Sequence, residues 1–368
     1  MELVKNEKKY VRRLDLIRVI SCVMVFLYHL NILKGGFLAV CTFFVLSGYL
    51  TCASALNKSK FSIKEYYKKR FVKIYIPLIV VIALSVISIK CIKNIRWINL
   101  KQETISALLG YNNFWQLKAN LDYFTRHINS PFMHLWYISI LIQFDLVFPI
   151  IYLILKKIEI KYKNNISLWI VTLGTIISTI VFFYMSKTQD IMVVYYNTFT
   201  RIFSIFYGVL LAIILNKYNF KLPKKLINNS KMIFRLYLIV LILLGIFVSS
   251  EAKNYSIFMI ITSLISVRLI RYSYFEKKKK RATSKDRIIT FIASFTYEIY
   301  LVQYPVIFLM QNKCNNVILK NIIITVITFV ISYLIHILIN NRFSNKFYNI
   351  LKKLFIRINN NYRSNYYC

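Results

Sequence analysis

In the segment RLDLIRVISCVMVFLYHL, residues 13–30, three side chains can do chemistry that their apolar neighbours cannot: Asp15, Arg18 and His29. On a helix, Arg18 and His29 project from nearly one face, because the steps between them complete about three turns plus 20°. They stand about 16 Å apart along the axis at 1.5 Å per residue. Asp15 lies one turn from Arg18, where an ion pair is feasible. An arginine holds phosphate through charge-assisted hydrogen bonds. An imidazole titrates near neutrality, so it can take a proton from a hydroxyl or carry an acyl group. A plainer reading also fits: Asp15 and Arg18 as a snorkelling interfacial pair, and His29 as a helix–helix hydrogen bond.

Other polar residues interrupt later apolar runs. FFVLSGYL carries Ser47, Gly48 and Tyr49, where small residues permit close helix approach. YYKKRFVKIYIPL, residues 66–78, places Arg70 and Lys73 one helical turn apart, just before Pro77. With Arg18 they make three cations able to hold phosphates, or ordinary interfacial charge. HLWYISILIQFDLVFP opens with His134 and Trp136 and carries Asp145 deeper, where it needs a partner or water. Arg201 lies near one end of TRIFSIFYGVLLA. In SFTYEIYLVQYPV, Tyr297, Tyr300 and Tyr304 share a face, with Glu298 beside them and Gln303 deeper. His336 reads as structural.

The elements that must position these residues are membrane spans. The chain has 368 residues, is 58% hydrophobic and has a mean hydropathy of +0.54. Its apolar residues fall into about ten runs long enough to cross a ~30 Å hydrocarbon layer. The expected spans are 14–33, 36–56, 74–90, 135–155, 168–185, 198–215, 236–250, 255–270, 288–310 and 317–340. The fold class is therefore an all-α polytopic bundle of about ten transmembrane helices, organised as a single domain, 1–368. The runs are continuous rather than alternating, which excludes a β-barrel. The first is too long, and too closely followed by a second, to read as a cleaved signal peptide.

A net charge of +37 raises the question of nucleic acid, but its distribution points elsewhere. With both termini cytoplasmic, the inner segments hold 37 of the 50 Lys and Arg residues and the outer segments 11. The charge is thus mainly topological, with an attraction to anionic inner-leaflet lipid. KKKKR at 277–281 reads as a solvated loop, and no nucleic-acid partner is expected. The cysteines show no metal-ligand spacing, and a Cys91–Cys314 disulfide is open. The outer connection 91–134 carries Trp97, Trp115, Asp122, Arg126 and His127. It either covers the mouth of a cavity or lies passively at the interface.

In order along the chain, Arg18–x10–His29, FFVLSGYL, KKRFVKIYIP, HLWYISILIQFDLVFP, TRIFSIFYGVLLA and SFTYEIYLVQYP resemble the integral-membrane acyltransferase 3 family. Members modify extracytoplasmic glycans and related acceptors of the cell envelope. Two positions depart from the pattern. Lys73 stands where a second arginine is usual, and Gln303 where a histidine often occurs.

The resemblance implies O-acyl transfer in the cell membrane, from cytoplasmic acyl-CoA, most simply acetyl-CoA, to a hydroxyl of an extracytoplasmic glycan or lipid-linked sugar. Arg18, Arg70 and Lys73 then bind the CoA phosphates, and His29 is general base or transient acyl carrier. Ser47 and Tyr49 position the thioester or donate to an oxyanion. His134, Trp136 and Arg201 serve the acceptor, supported by Tyr297, Tyr300 and Gln303. No metal is called for. Two other readings compete: an exporter of a glycan or lipid-linked precursor using Asp145, Glu298 and Arg201, and an inactive scaffold of the same fold.

Overall fold

The computed structural model describes residues 12–58, 60–92, 99–121, 130–162, 165–217, 229–251, 254–276, 283–311 and 313–339. Trp97, Asp122, Arg126, His127 and the run at 277–281 lie outside them. The described residues form helices and connections, with no strand among them.

The helices are α1 Arg12–His29, α2 Ala39–Leu56, α3 Ile63–Arg70, α4 Ile76–Cys91, α5 Leu100–Leu108, α6 Asn112–Lys118, α7 Trp136–Tyr162, α8 Ile166–Thr188, α9 Ile191–Tyr196 and α10 Thr198–Lys217. They continue with α11 Ser230–Phe247, α12 Tyr255–Tyr274, α13 Ser284–Ser294, α14 Thr296–Met310 and α15 Val317–Leu338. Single turns of 3-10 helix, Gly36–Leu38 and Met133–Leu135, lead into α2 and α7.

Among the described residues, eight helical stretches are long and apolar enough to cross a membrane, or nine if α13 and α14 form one broken span. The chain is a multi-pass membrane protein. The expectation of ten is not met on this measure. The difference begins at α1, whose 18 residues include Arg12, Arg13, Asp15 and Arg18.

The basic segment before Pro77 also differs from expectation. It is not a loop leading to a span at 74. Helix starts at Ile63, where the Ser62 side chain accepts a hydrogen bond from the Glu65 N–H. Glu65 in the first turn complements the helix dipole, while Lys68, Lys69 and Arg70 precede a turn through which the helix continues. A π-helical turn, Phe71–Tyr75, then joins α3 to α4. Arg70 therefore precedes this widened turn and Lys73 lies within it, less than one full turn away.

The chain divides into two compact units, one of residues up to Phe61 and from Asn99 to Thr296, the other from Ser62 to Ile98 and from Tyr297 onward. The first unit is built around α2 and α10. Gly48 and Gly208 bring their backbones together: a Cβ at 208 would lie 2.0 Å from the Val45 carbonyl oxygen, and one at 48 would lie 2.2 Å from that of Ile205. No side chain fits there, so the small residue in FFVLSGYL serves packing, as expected. Hydroxyl pairs complete the seams. Ser266 donates to Thr42 at 2.8 Å, and Ser204 and Ser263 are 2.9 Å apart.

The connection expected at 91–134 is largely structured where it is described. Helices α5 and α6 form a hairpin whose buried face is polar, with Glu103, Ser106, Asn112, Asn113 and Gln116 all inaccessible to solvent. Its outward face carries Ile105, Leu109, Tyr111 and Phe114. The second unit comprises α3, the π turn, α4, α14 from Tyr297, and α15.

Candidate active site

His29 ends α1 and is buried. The helix stops there because Asn31 adopts φ 60°, a left-handed conformation that asparagine tolerates. His134 sits in the 3-10 turn that enters α7 and is completely buried. Their ring centroids are 6.4 Å apart with planes at 77°, an edge-to-face meeting. Two imidazoles thus share one buried locus, where either nitrogen-bearing ring can hold or pass a proton.

An aromatic wall runs on from this pair. Tyr28 meets Phe37 at 5.9 Å between ring centroids, Phe37 meets Tyr195 at 6.4 Å, and Tyr195 meets Trp136 at 4.6 Å. Arg201 enters this wall from the start of α10. Its guanidinium carbon lies 4.8 Å from the Tyr195 ring, 5.5 Å from Trp136 and 5.6 Å from Phe44.

Arg201 is 0% exposed. Its terminal nitrogens contact Met259 Sδ at 3.3 Å and Cys41 Sγ at 3.6 Å, and Nε has no hydrogen-bond partner among the described residues. No carboxylate among those residues pairs with it. Aromatic faces balance the charge instead, an arrangement that retains hydrogen-bonding capacity for another molecule. His29, His134, Trp136 and Arg201, expected from three separate segments, therefore lie together in the first unit, His29 against His134 and Arg201 against Trp136.

Glu103 is the site-supporting residue that pattern reading missed. One carboxylate oxygen accepts from the Ser130 hydroxyl, from the Phe132 N–H at 3.2 Å and from Gln116 Nε2 at 3.1 Å. This holds the turn that leads directly to Met133–Leu135, and so to His134. Asn112 tightens the arrangement: its N–H donates to Ser139 Oγ at 3.0 Å, and its amide donates to Ser106 Oγ at 3.1 Å. The available signal was slight: an acid between Gln102 and Thr104, in a connection longer than a link requires.

The other expected residues take various places. Arg18 Nη1 and Asp15 Oδ1 form the anticipated ion pair at 3.1 Å. Asp145 is buried in α7. Ser47 is half-buried and Tyr49 buried on α2, with the Ser47–Tyr49 stretch about 12–15 Å along the helix from Ala39. The structure gives neither a contact with the histidine pair. In the second unit, Arg70 lies over the Tyr66 ring at 5.4 Å, and Lys73 is exposed. The Tyr297 hydroxyl donates to the Ile74 carbonyl at 3.0 Å. Tyr300, Tyr304 and Gln303 are buried. Glu298 pairs with His336 Nδ1 at 3.1 Å, which gives His336 its structural role. Cys91 and Cys314 are free thiols, so the disulfide left open above is not formed.

A buried histidine pair and an aromatic-boxed arginine, carried on a multi-pass helical scaffold, define a membrane protein with an enclosed polar centre. The acyltransferase-domain family model matches residues 11–339, and the chain belongs to this acyltransferase 3 family. It is 30% identical over 312 residues to O-acetyltransferase OatA of Staphylococcus aureus strain NCTC 8325 / PS 47, a match covering 81% of this chain and 51% of that protein. The OatA protein of strain COL matches with the same identity and coverage. The chain spans about half the length of these curated relatives. No solved structure matches it.

Proposed function

We propose that the whole chain, 1–368, acts as one membrane O-acetyltransferase domain. It spans the cell membrane ten times with both termini cytoplasmic, α1 being the span that its charged first turns disguise. The donor is cytoplasmic acetyl-CoA. The acceptor is a hydroxyl of an extracytoplasmic glycan or lipid-linked sugar. The observation that carries this reading is the buried His29–His134 pair, with Arg201 against Trp136 two residues further on. Membership of the acyltransferase family and the names of the relatives agree with it.

In the simplest step, His29 takes the proton of the acceptor hydroxyl as its oxygen attacks the thioester carbonyl. The C–O bond forms and the C–S bond breaks. The departing thiolate takes up a proton and leaves as CoA-SH, and His29 returns to neutral. In the two-step form, His29 carries the acetyl group between donor and acceptor. His134 orients the acceptor hydroxyl or shares its proton. Trp136 supplies an apolar face for a sugar ring, and Arg201 donates hydrogen bonds to it. Arg70 and Lys73 hold the donor phosphates in the second unit, Lys73 as a point charge rather than a fork. Within the first unit, Arg18 is a cation able to hold a phosphate, about 16 Å down α1 from His29.

The test is acetyl transfer by the reconstituted chain, with mass spectrometry of envelope glycans from cells that have or lack it. His29→Ala should abolish transfer while the protein remains in the membrane. Full activity in that variant would sink the mechanism.

A further inference from the structure

Three buried polar side chains in the second unit lack a hydrogen-bond partner among the described residues: Gln303 at both ends of its amide, Thr328 at Oγ1 and Ser332 at Oγ. Gln303 and Ser332 are fully buried, and Thr328 nearly so. Folded proteins seldom leave such groups unsatisfied, because burial strips them of water and returns nothing. Three in one unit call for a partner beyond the described residues.

Their depth along the helices indicates which partner. The Tyr297 hydroxyl reaches the Ile74 carbonyl, which puts the start of α14 level with the π turn that carries Lys73. One residue on, Glu298 meets His336 near the end of α15, so the two helices are adjacent and antiparallel at this level. From there Gln303 lies about 7.5 Å further along α14, at 1.5 Å per residue. Ser332 and Thr328 lie about 6 and 12 Å back along α15, one turn apart on its buried side. The orphaned groups therefore occupy one band, roughly 6–12 Å from the level of Lys73.

We propose that Gln303, with Ser332 and Thr328, binds the amide-bearing arm of the acyl-CoA donor whose phosphates Arg70 and Lys73 hold. This rests on the donor reading above and moves Gln303 from the acceptor to the donor. The pantetheine arm is thin, extended and mostly apolar, with two secondary amides along it. A primary amide complements a secondary one: its NH2 donates to the ligand carbonyl, and its carbonyl accepts from the ligand N–H. Hydroxyls one turn apart can serve the second amide as donor or acceptor. The surrounding faces of α14 and α15 are apolar, as the methylenes of the arm require.

The inference predicts an uncommon combination. Gln303→Leu removes an orphaned amide from the unliganded protein, so the melting temperature of the reconstituted full chain should not fall. Its affinity for CoA should drop at least about tenfold, the loss of hydrogen bonds to a buried ligand amide. Affinity for 3′,5′-ADP, which has the phosphates without the arm, should not change. Arg70→Gln should weaken both ligands. Ser332→Ala repeats the comparison with a smaller change, should Gln303→Leu fail to assemble.

Unchanged CoA affinity in Gln303→Leu and Ser332→Ala would overturn this inference alone. So would an equal loss of CoA and 3′,5′-ADP, or a lowered melting temperature, since both mark a structural role. A wild-type chain that binds no CoA would overturn the donor reading together with it.

Discussion

His29 and His134 meet edge to face, with ring centroids 6.4 Å apart, although one ends α1 and the other opens α7. Neither helix alone makes a site. Two buried imidazoles, edge to face, place two groups of acid–base chemistry at one locus.

The first prediction concerns that pair. Acetyl transfer should fall below detection in His29→Ala, and by about 10²–10⁴-fold in His134→Ala, the range for loss of an acid–base group. CoA binding should survive in both. Steady-state transfer and equilibrium binding on the same preparations check this. Loss of CoA binding in His29→Ala would assign the residue to the donor instead.

Arg201 should behave as a functional charge held at a cost to the fold. Arg201→Met keeps length and removes a buried cation that no carboxylate balances among the described residues. Burying a charge without a counter-charge is costly, and an apolar side chain of similar length removes that cost. The melting temperature should hold or rise while acceptor-dependent transfer falls at least about tenfold. Arg201→Lys should not restore activity, because an ammonium lacks the planar fork that lies over the Tyr195, Trp136 and Phe44 rings.

Glu103 should show the opposite balance. Glu103→Ala removes the acceptor of the Ser130 hydroxyl and leaves the Phe132 N–H and the Gln116 amide only their longer bonds, to Ser130 Oγ at 3.3 Å and Asn112 Oδ1 at 3.4 Å. A buried group left without its partner costs about 1–3 kcal/mol. Thermal unfolding in detergent should move to lower temperature, and activity should fall with the displaced His134 turn. Glu103→Gln keeps one acceptor oxygen and should lie between Glu103→Ala and the wild type.

A packing test separates two glycines. Gly208→Ala drives a Cβ to 2.0 Å from the Val45 oxygen, which is backbone and cannot yield, so the α2–α10 seam must open. Gly174→Ala meets only the Phe206 ring, at 3.4 Å. Size-exclusion profiles should show aggregation or loss of the first variant and near-normal yield of the second.

Much of this molecule is legible in its sequence because the bilayer imposes local rules. Long apolar runs must be helices, since a lone strand would leave its backbone unsatisfied in lipid. The polar residues inside those runs were therefore the ones to examine. Arg18, His29, His134, Trp136, Arg201 and Gln303 were all found by that criterion. Span counting was less secure at α1, where four charges sit in the first turns. It was less secure also before Pro77, where the Ser62 cap and Glu65 in the first turn extend the helix back into what reads as a loop.

Hydropathy, helical phase and charge order depend on near neighbours in the chain. They were enough to settle the helical class and the span-borne polar residues and to put Arg18 and His29 in phase on one face, while the order of the motifs carried the resemblance to the family. Which of those residues meet depends on how separate helices pack, and packing is decided by shape at contacts remote in sequence. Only the tertiary structure joined His29 to His134, boxed Arg201 among three rings, assigned Glu103 to the turn before His134 and paired Glu298 with His336. It alone also exposed the Gln303 amide as unsatisfied among the described residues, because a missing partner is recognised only from positions in space.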